Sequence, residues 1–288
     1  MENRKMNETK RQEMKAFSRQ IRIELLKMLK WRRYGHLGGA MSIVELLSAL
    51  YKDQLKHDSG DPKNDGRDYL VLSKGHSAAS LYCALMLEGY FERDMLYTMN
   101  EGGTSLPSHP DRLKTPGIDV TTGSLGQGTS IAAGIGMALK MQGRRQQYVY
   151  LVAGDGELNE GQCWEAFQFI AHYRLDNVIV IIDENKKQLD GYTEEIIAPQ
   201  DIVKKMQAFG FTADRVCGND EEKISLAISA CKKRKGQASC IVLDTVKGQG
   251  VDFFAKMQDN HSVKFNETVD SEADKAISEL ERQLAEGR

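Results

Sequence analysis

The chain has 288 residues, 41% of them apolar, enough to bury a large core, with Lys plus Arg 39 set against Asp plus Glu 41. A net charge of −2 spreads no basic field for nucleic acid, and no stretch approaches the roughly 20 apolar residues of a membrane span. Residues 1–33 lack the apolar core and small-residue cleavage site of a secretory signal, and the five cysteines form no C-x-x-C pair; reduced, mostly buried thiols in a cytoplasmic protein are expected.

Phe17, Ile21, Leu25 and Met28 recur at helical spacing, which predicts an amphipathic helix over about 8–30. Ser42 with Glu45 has the form of a capping box and marks a second helix through Leu50. Residues 58–67, polar and containing Pro62, read as a loop. Residues 69–72 read as a buried strand and 77–88 as the helix behind it. Residues 101–128 are rich in Gly, Pro, Ser and Thr; a loop of that length in a compact protein is usually functional. The runs 148–153 and 178–183 are short, apolar and β-branched, as buried parallel strands are, and 160–173 has the length of a crossover helix between them. A helix near 201–209, a strand near 211–216, a helix over 220–233 and a strand over 239–245 follow. Lys232-Lys233-Arg234-Lys235 reads as a solvated helix end. Strands alternating with helices predict an α/β fold, a doubly wound parallel sheet flanked by helices. No repeat or linker divides it, so 1–288 is expected to form a single domain, closed by a charged helix over about 271–287.

The most informative motif is Gly154-Asp155-Gly156, with Asn185 twenty-nine residues after Gly156. Each polar residue follows a predicted strand, so both stand at the carboxyl edge of the sheet, where open parallel sheets bind ligands. One carboxylate, one carboxamide and a backbone carbonyl just beyond, that of Lys187, offer oxygens to a hard cation that shares a phosphate-bearing ligand. An isolated Gly-Asp-Gly is ordinarily a turn; the strand before each ligand is what favours a site. Six histidines are present, and His36, His76, His109 and His261 lie in Gly- or Pro-bearing loops, while His57 and His172, on helical stretches, read as structural. Histidine exchanges protons near pH 6.5, although a lone loop histidine is more often a hydrogen-bonding fixture. Gly123-Ser124-Leu125-Gly126 competes as a phosphate loop, but no G-x-x-x-x-G-K-[ST] is present.

The Gly-Asp-Gly…Asn spacing resembles the thiamine diphosphate signature. The wording 154–161, with Asp183-Glu184-Asn185 and Asp190-Gly191, resembles transketolase. Gly35-His36-Leu37-Gly38-Gly39, Leu72-Ser73-Lys74-Gly75-His76, Ser108-His109-Pro110, Thr121-Thr122-Gly123-Ser124-Leu125-Gly126-Gln127-Gly128 and His261-Ser262-Val263 follow in that family's order, covering about 15–265. The resemblance implies the thiamine-diphosphate-binding fold of the diphosphate (PP) type, with thiamine diphosphate and Mg²⁺ (Ca²⁺ or Mn²⁺ as substitutes). It implies metal ligands Asp155, Asn185 and the Lys187 carbonyl. Cofactor contacts would come from His76, Gly123, Ser124, Leu125, Gly154, Asp155, Gly156, Glu160, Asn185, Leu189 and His261. Leu189 could equally be a core leucine. His36, His76, His109 and His261 would line the substrate channel as catalytic residues, and Glu160 and Glu165 would join a carboxylate network across a subunit interface. Helix acids are otherwise ordinary surface charge.

In the family, the glutamate that activates the aminopyrimidine lies on a second domain, and only twenty-five residues follow Val263 in this chain of 288. The resemblance therefore implies the amino-terminal subunit of a split transketolase. It would work with a separate carboxyl-terminal subunit that carries the glutamate, as an α2β2 heterotetramer. The expected reaction moves a two-carbon ketol unit from a ketose phosphate to an aldose. Leu37, Lys74 and Lys264-Phe265 depart from the common family residues Pro, Asn and His-Gly. Two readings compete: the α subunit of a thiamine-dependent 2-oxoacid dehydrogenase or decarboxylase, and a non-enzymatic cofactor-binding partner.

Overall fold

The computed structural model describes residues 6–287; positions 1–5 and 288 of the expected domain lie outside the described residues. Helix α1 (Glu8–Arg32) opens at Asn7, whose side chain accepts from the Thr9 N–H at 2.9 Å, and stops at Arg33, where φ reaches 68°. Its buried Met14, Phe17, Ile21, Leu25 and Met28 form the expected stripe. A short strand β1 (Tyr34–His36) follows, then helices α2 (Gly38–Met41) and α3 (Val44–Ala49), the latter running into a π turn at Leu50–Gln54. The capping box expected here does not form. Ser42 Oγ donates to Asp183 at 2.7 Å, and Glu45 takes Arg22 at 2.5 Å and Gln249 at 2.9 Å, because both side chains are buried and meet core partners instead of the helix backbone.

Strand β2 (Tyr69–Leu72), helix α4 (Ala78–Leu87), helix α5 (Gln127–Met141), strand β3 (Val149–Gly154), helix α6 (Gly161–His172) and strand β4 (Val178–Glu184) come next. Helices α7 (Thr193–Ile197) and α8 (Ile202–Ala208), strand β5 (Thr212–Cys217), helix α9 (Glu221–Lys233), strand β6 (Ser239–Asp244), helix α10 (Asp252–Lys256), strand β7 (Ser262–Lys264) and helix α11 (Glu267–Ala285) complete the order. Five strands form one parallel sheet in the order β2-β3-β4-β6-β5. Successive residues alternate between its two faces. Tyr150, Val152, Ile179 and Ile181 join a core with α1, α3, α4 and α9, while Val149, Leu151, Val180 and Ile182 join one with α5, α6 and α8. Burial on both faces is why these strands are continuous apolar runs. The doubly wound α/β architecture is as the pattern implied.

Several elements differ from the expected pattern. Helix α5 was not anticipated: Gly128, Gly134 and Gly136 make a poor helix former, and its buried Thr129, Ala132, Ala133 and Gly136 pack by being small. Strands β1 and β7 form a separate antiparallel ribbon, with His36 opposite Ser262. Three residues each are too few to show a period. His57 lies in a loop, not on a helix, though it is tied to Tyr51 O and Tyr90 OH at 3.2 Å as a structural residue would be. Lys232 is not a solvated helix end; its ammonium reaches Gln54 O at 2.6 Å and lies 5.4 Å from the Tyr148 ring centre. Helix α11 begins at Glu267, capped by Asn266, and packs Val269, Ala273, Ile277 and Leu280 into the core beside α1. Four cysteines are buried and Cys217 is exposed. No helix among the described residues is long and apolar enough to cross a membrane.

The sheet's carboxyl edge gathers the loops after β2, β3, β4 and β6, and α5 presses against the first of them. A Cβ on Gly128 would lie 2.7 Å from Ser73 Cα and 2.5 Å from Ser73 Oγ. Gly128→Ala is therefore expected to destabilise the fold by about 1–3 kcal/mol despite the better helix propensity of alanine. Urea unfolding measures this, and an unchanged or raised midpoint would contradict the packing described.

Candidate active site

At that edge lies a cavity of about 360 Å³. Of the residues singled out in the sequence, His36, His76, His109, His261, Gly123, Leu125, Gly154, Asp155, Gly156, Glu160, Asn185, Lys187 and Leu189 line it. Ser124 and Glu165 do not; both are exposed outside it. Leu189 is 67% exposed, so it is not a core leucine. Glu160 and Glu165 are both exposed, with Glu160 at the cavity rim, so the described residues contain no buried pair of these two acids.

The β1–β7 ribbon sets two of the histidines. His36 ends β1, and the Leu37 N–H donates to His261 O at 3.2 Å, which seats His261 beside it. Ring centres stand 5.2 Å apart for His36 and His261, 5.5 Å for His36 and His109, and 4.9 Å for His76 and His261. Gly123, at φ 149°, makes room for His109, since a Cβ there would sit 3.1 Å from its ring. Burial, then the neighbouring His109 and Lys247, lower His36 to about 4; burial, then Lys247 and His36, lower His261 to about 3. Burial also lowers His109, and burial with Lys74 carries His76 well below 6.5. In the free chain these imidazoles are neutral at pH 7, each with one nitrogen to donate and one to accept. They do not titrate near 6.5 as the loop histidines were expected to; burial is the main reason, with crowding among like groups and lysines adding to it.

Asp155 is 3% exposed and accepts from the Gly156 N–H at 2.8 Å and the Lys186 N–H at 2.6 Å. Burial, then the negative Asp183, raise it to about 6. Asn185 Oδ1 accepts from the Lys187 N–H at 3.2 Å. No group of three His, Cys, Asp or Glu side chains among the described residues forms a metal cluster. A buried carboxylate in no ion pair among the described residues, a carboxamide and a carbonyl fit a hard cation that takes its remaining oxygens from a phosphate-bearing ligand.

Four side chains that shape the site carry no role in the sequence motifs. Lys74 is fully buried and ion-paired with Asp183; burial alone would raise that carboxylate, but the Lys74 ammonium and the surrounding donors hold it below its ordinary value. Lys247 lines the cavity, reaches His261 Nδ1 and Gln188 O at 3.1 Å, and is lowered to about 8, chiefly by burial. Glu157 accepts from Ser73 Oγ, from the Gly126 N–H at 2.8 Å and from the Gly154 N–H at 3.0 Å, so one buried carboxylate ties three cavity loops together. Its place directly after Gly-Asp-Gly was a usable signal; Lys247, in a Lys-Gly-Gln-Gly segment after β6, offered a weaker one.

Fold and cavity together define an α/β domain with a ligand site at the carboxyl edge of its parallel sheet. Residues 13–277 match the family model described as transketolase, thiamine diphosphate binding domain. The chain is 43% identical over 251 residues to the 6-deoxy-6-sulfo-D-fructose transketolase subunit of Clostridium sp. (strain MSTE9), covering 87% of this chain and 90% of that protein. It is 39% identical over 219 residues to the apulose-4-phosphate transketolase subunit of Actinobacillus succinogenes, covering 76% of this chain and 79% of that protein. The crystal structure of transketolase from Campylobacter jejuni superposes with a TM-score of 0.83 at 29% identity, covering 95% of this chain and 43% of that one. The chain thus spans less than half the length of that solved transketolase. It belongs to the transketolase family, whose cofactor is thiamine diphosphate.

Two outcomes follow from this geometry. Glu157→Ala strands three buried donors and is expected to cost about 2–4 kcal/mol in urea unfolding; a loss below 0.5 kcal/mol (roughly the scatter of an ordinary surface substitution) would rule out the clamp. For the imidazoles, the folded-state values near 4 and 3 lie below the unfolded value of 6.5. Their contribution is therefore full above about pH 6.5 and is lost as pH falls toward 4 and 3, where the unfolded chain takes up protons first. A His36→Asn/His261→Asn variant should lose less stability between pH 7 and pH 5 than the parent; equal losses would contradict the depressed values.

Proposed function

We propose that this chain works as one diphosphate-binding domain over 1–288, the amino-terminal half of a two-subunit transketolase. It transfers a two-carbon ketol unit from a ketose phosphate, or another ketose bearing a terminal anion, to an aldose. The observation that carries the reading is the cavity itself, which a buried carboxylate in no ion pair among the described residues lines together with a carboxamide and four neutral imidazoles. Support for a separate partner comes from two relatives named as transketolase subunits, which the chain matches over 90% and 79% of their lengths. Two substrate classes appear in those names, a sulfonated ketose and a ketose phosphate, and both carry a terminal anion.

Asp155, Asn185 and the Lys187 carbonyl would hold Mg²⁺, with His76 beside the diphosphate and Lys247, which bonds Gln188 O and His261 Nδ1, adding positive charge to that side of the cavity. Gly123 and Leu125 would border the aminopyrimidine, and exposed Leu189 would cover an apolar part of the cofactor. Thiamine diphosphate supplies, when bound, a carbon nucleophile for the donor carbonyl. Neutral His36, His109 and His261 orient sugar hydroxyls and pass protons at their oxygens. Glu160 and Glu165 would meet acids of a neighbouring subunit in an α2β2 assembly, and the partner would bring the pyrimidine-activating glutamate. Ca²⁺ or Mn²⁺ could replace Mg²⁺.

Co-expression with a candidate carboxyl-terminal subunit, followed by a ketose-donor assay, tests this. Transfer is expected only from the pair; full activity of the chain alone would end the partner reading, and pyruvate decarboxylation without ketol transfer would favour the 2-oxoacid enzyme. Asp155→Ala should weaken Mg²⁺-dependent binding of thiamine diphosphate at least 100-fold by calorimetry (an order-of-magnitude expectation for loss of a charged ligand). Unchanged binding would refute the cation site.

A further inference from the structure

We propose that Asp183 is a positioning residue for the cation site: it fixes the carboxamide of Asn185 so that Oδ1, and not the NH₂ group, is offered to the cation. This rests on the reading of Asp155 and Asn185 as cation ligands. Asn185 is 5% exposed, and its Nδ2 donates to Asp183 Oδ2 at 2.9 Å. An ionised carboxylate only accepts, so it can face only the NH₂ end of the amide. A flipped amide would set two acceptors against each other and leave the Lys187 N–H, now 3.2 Å from Oδ1, facing a donor.

Asp183 can act in this way because it is itself immobilised. It is fully buried, and it accepts from Lys74, which follows β2, and from Thr245, which follows β6. Ser42, between α2 and α3, donates to it at 2.7 Å. Lys74 is in turn held by Gly39 O at 3.1 Å. Three segments outside β4 therefore set the carboxylate, and the carboxylate sets the amide. A metal ligand oriented by an outer hydrogen-bond partner loses roughly 10–100-fold in metal affinity when that partner is removed.

Asp183→Leu alone leaves a buried lysine unpaired and can fail to fold, so the decisive protein is Lys74→Met/Asp183→Leu, which replaces the buried ion pair with apolar groups of similar shape and leaves no acceptor at 183. Mg²⁺ is titrated by calorimetry into the complex with the partner subunit, with thiamine diphosphate present. The folded double variant is expected to bind Mg²⁺ about 10–100-fold more weakly, and raising Mg²⁺ should restore cofactor binding, which a merely structural defect would not allow. Affinity within twofold of the parent, or a loss that excess Mg²⁺ cannot reverse, overturns the proposal. Asp155→Ala separates the two levels. If it abolishes Mg²⁺ binding while the double variant does not weaken it, only the positioning role falls. If neither variant alters Mg²⁺ binding, the cation site itself is misplaced.

Discussion

The carboxyl edge of the sheet is held together by the buried ion pair of Lys74 and Asp183. Burying two charges is costly unless the Coulomb attraction is joined by hydrogen bonds that use the remaining lone pairs and protons. Asp183 meets that condition with Ser42, Asn185 and Thr245, and Lys74 with Gly39 O. The residues concerned end or follow β4, follow β2 and β6, or lie in α2 and its link to α3. One acceptor therefore sets the relative position of loops that are far apart in sequence, and the cavity is the space they leave above it.

A second carboxylate does the same for the other side of the cavity. Glu157 binds the loop after β2, the loop before α5 and the turn after β3. Asp155, by contrast, accepts only from two backbone N–H groups and is in no ion pair among the described residues. The lysines and imidazoles around it then sharpen the site. Desolvation and mutual repulsion keep the histidines neutral, so they present a wall of paired donors and acceptors. Such a wall suits a polyhydroxylated chain, whose hydroxyls both donate and accept.

What could be read from the sequence was what repeats or what combines a strand with an unusual turn. β2, β3, β4 and β6 are buried on both faces and therefore unmistakable as apolar runs, and Asp155 and Asn185 stand where such strands end. Four histidine loops could be ordered by resemblance alone. Long-range pairing was not legible: nothing local marks Tyr34–His36 as the partner of Ser262–Lys264, yet that ribbon seats His36 and His261. Helix α5 hid behind its glycines, which serve close packing against Ser73 and Val178. Ser42 and Glu45 had the letters of a capping box, but their burial gave them tertiary partners. The roles of Glu157 and Lys74 are not legible in the sequence, because a buried charge is recognisable only from what surrounds it.

The central claim is that Asp155 and Asn185 face one cation between them at the cofactor diphosphate. A crystal structure of the chain with its partner subunit, soaked with thiamine diphosphate and Mn²⁺, tests it directly through anomalous scattering. The account predicts one Mn²⁺ peak within about 2.3 Å of Asp155 Oδ and Asn185 Oδ1, as expected for an octahedral oxygen site. A peak elsewhere, or cofactor density with Asn185 presenting Nδ2 to the metal, would contradict it.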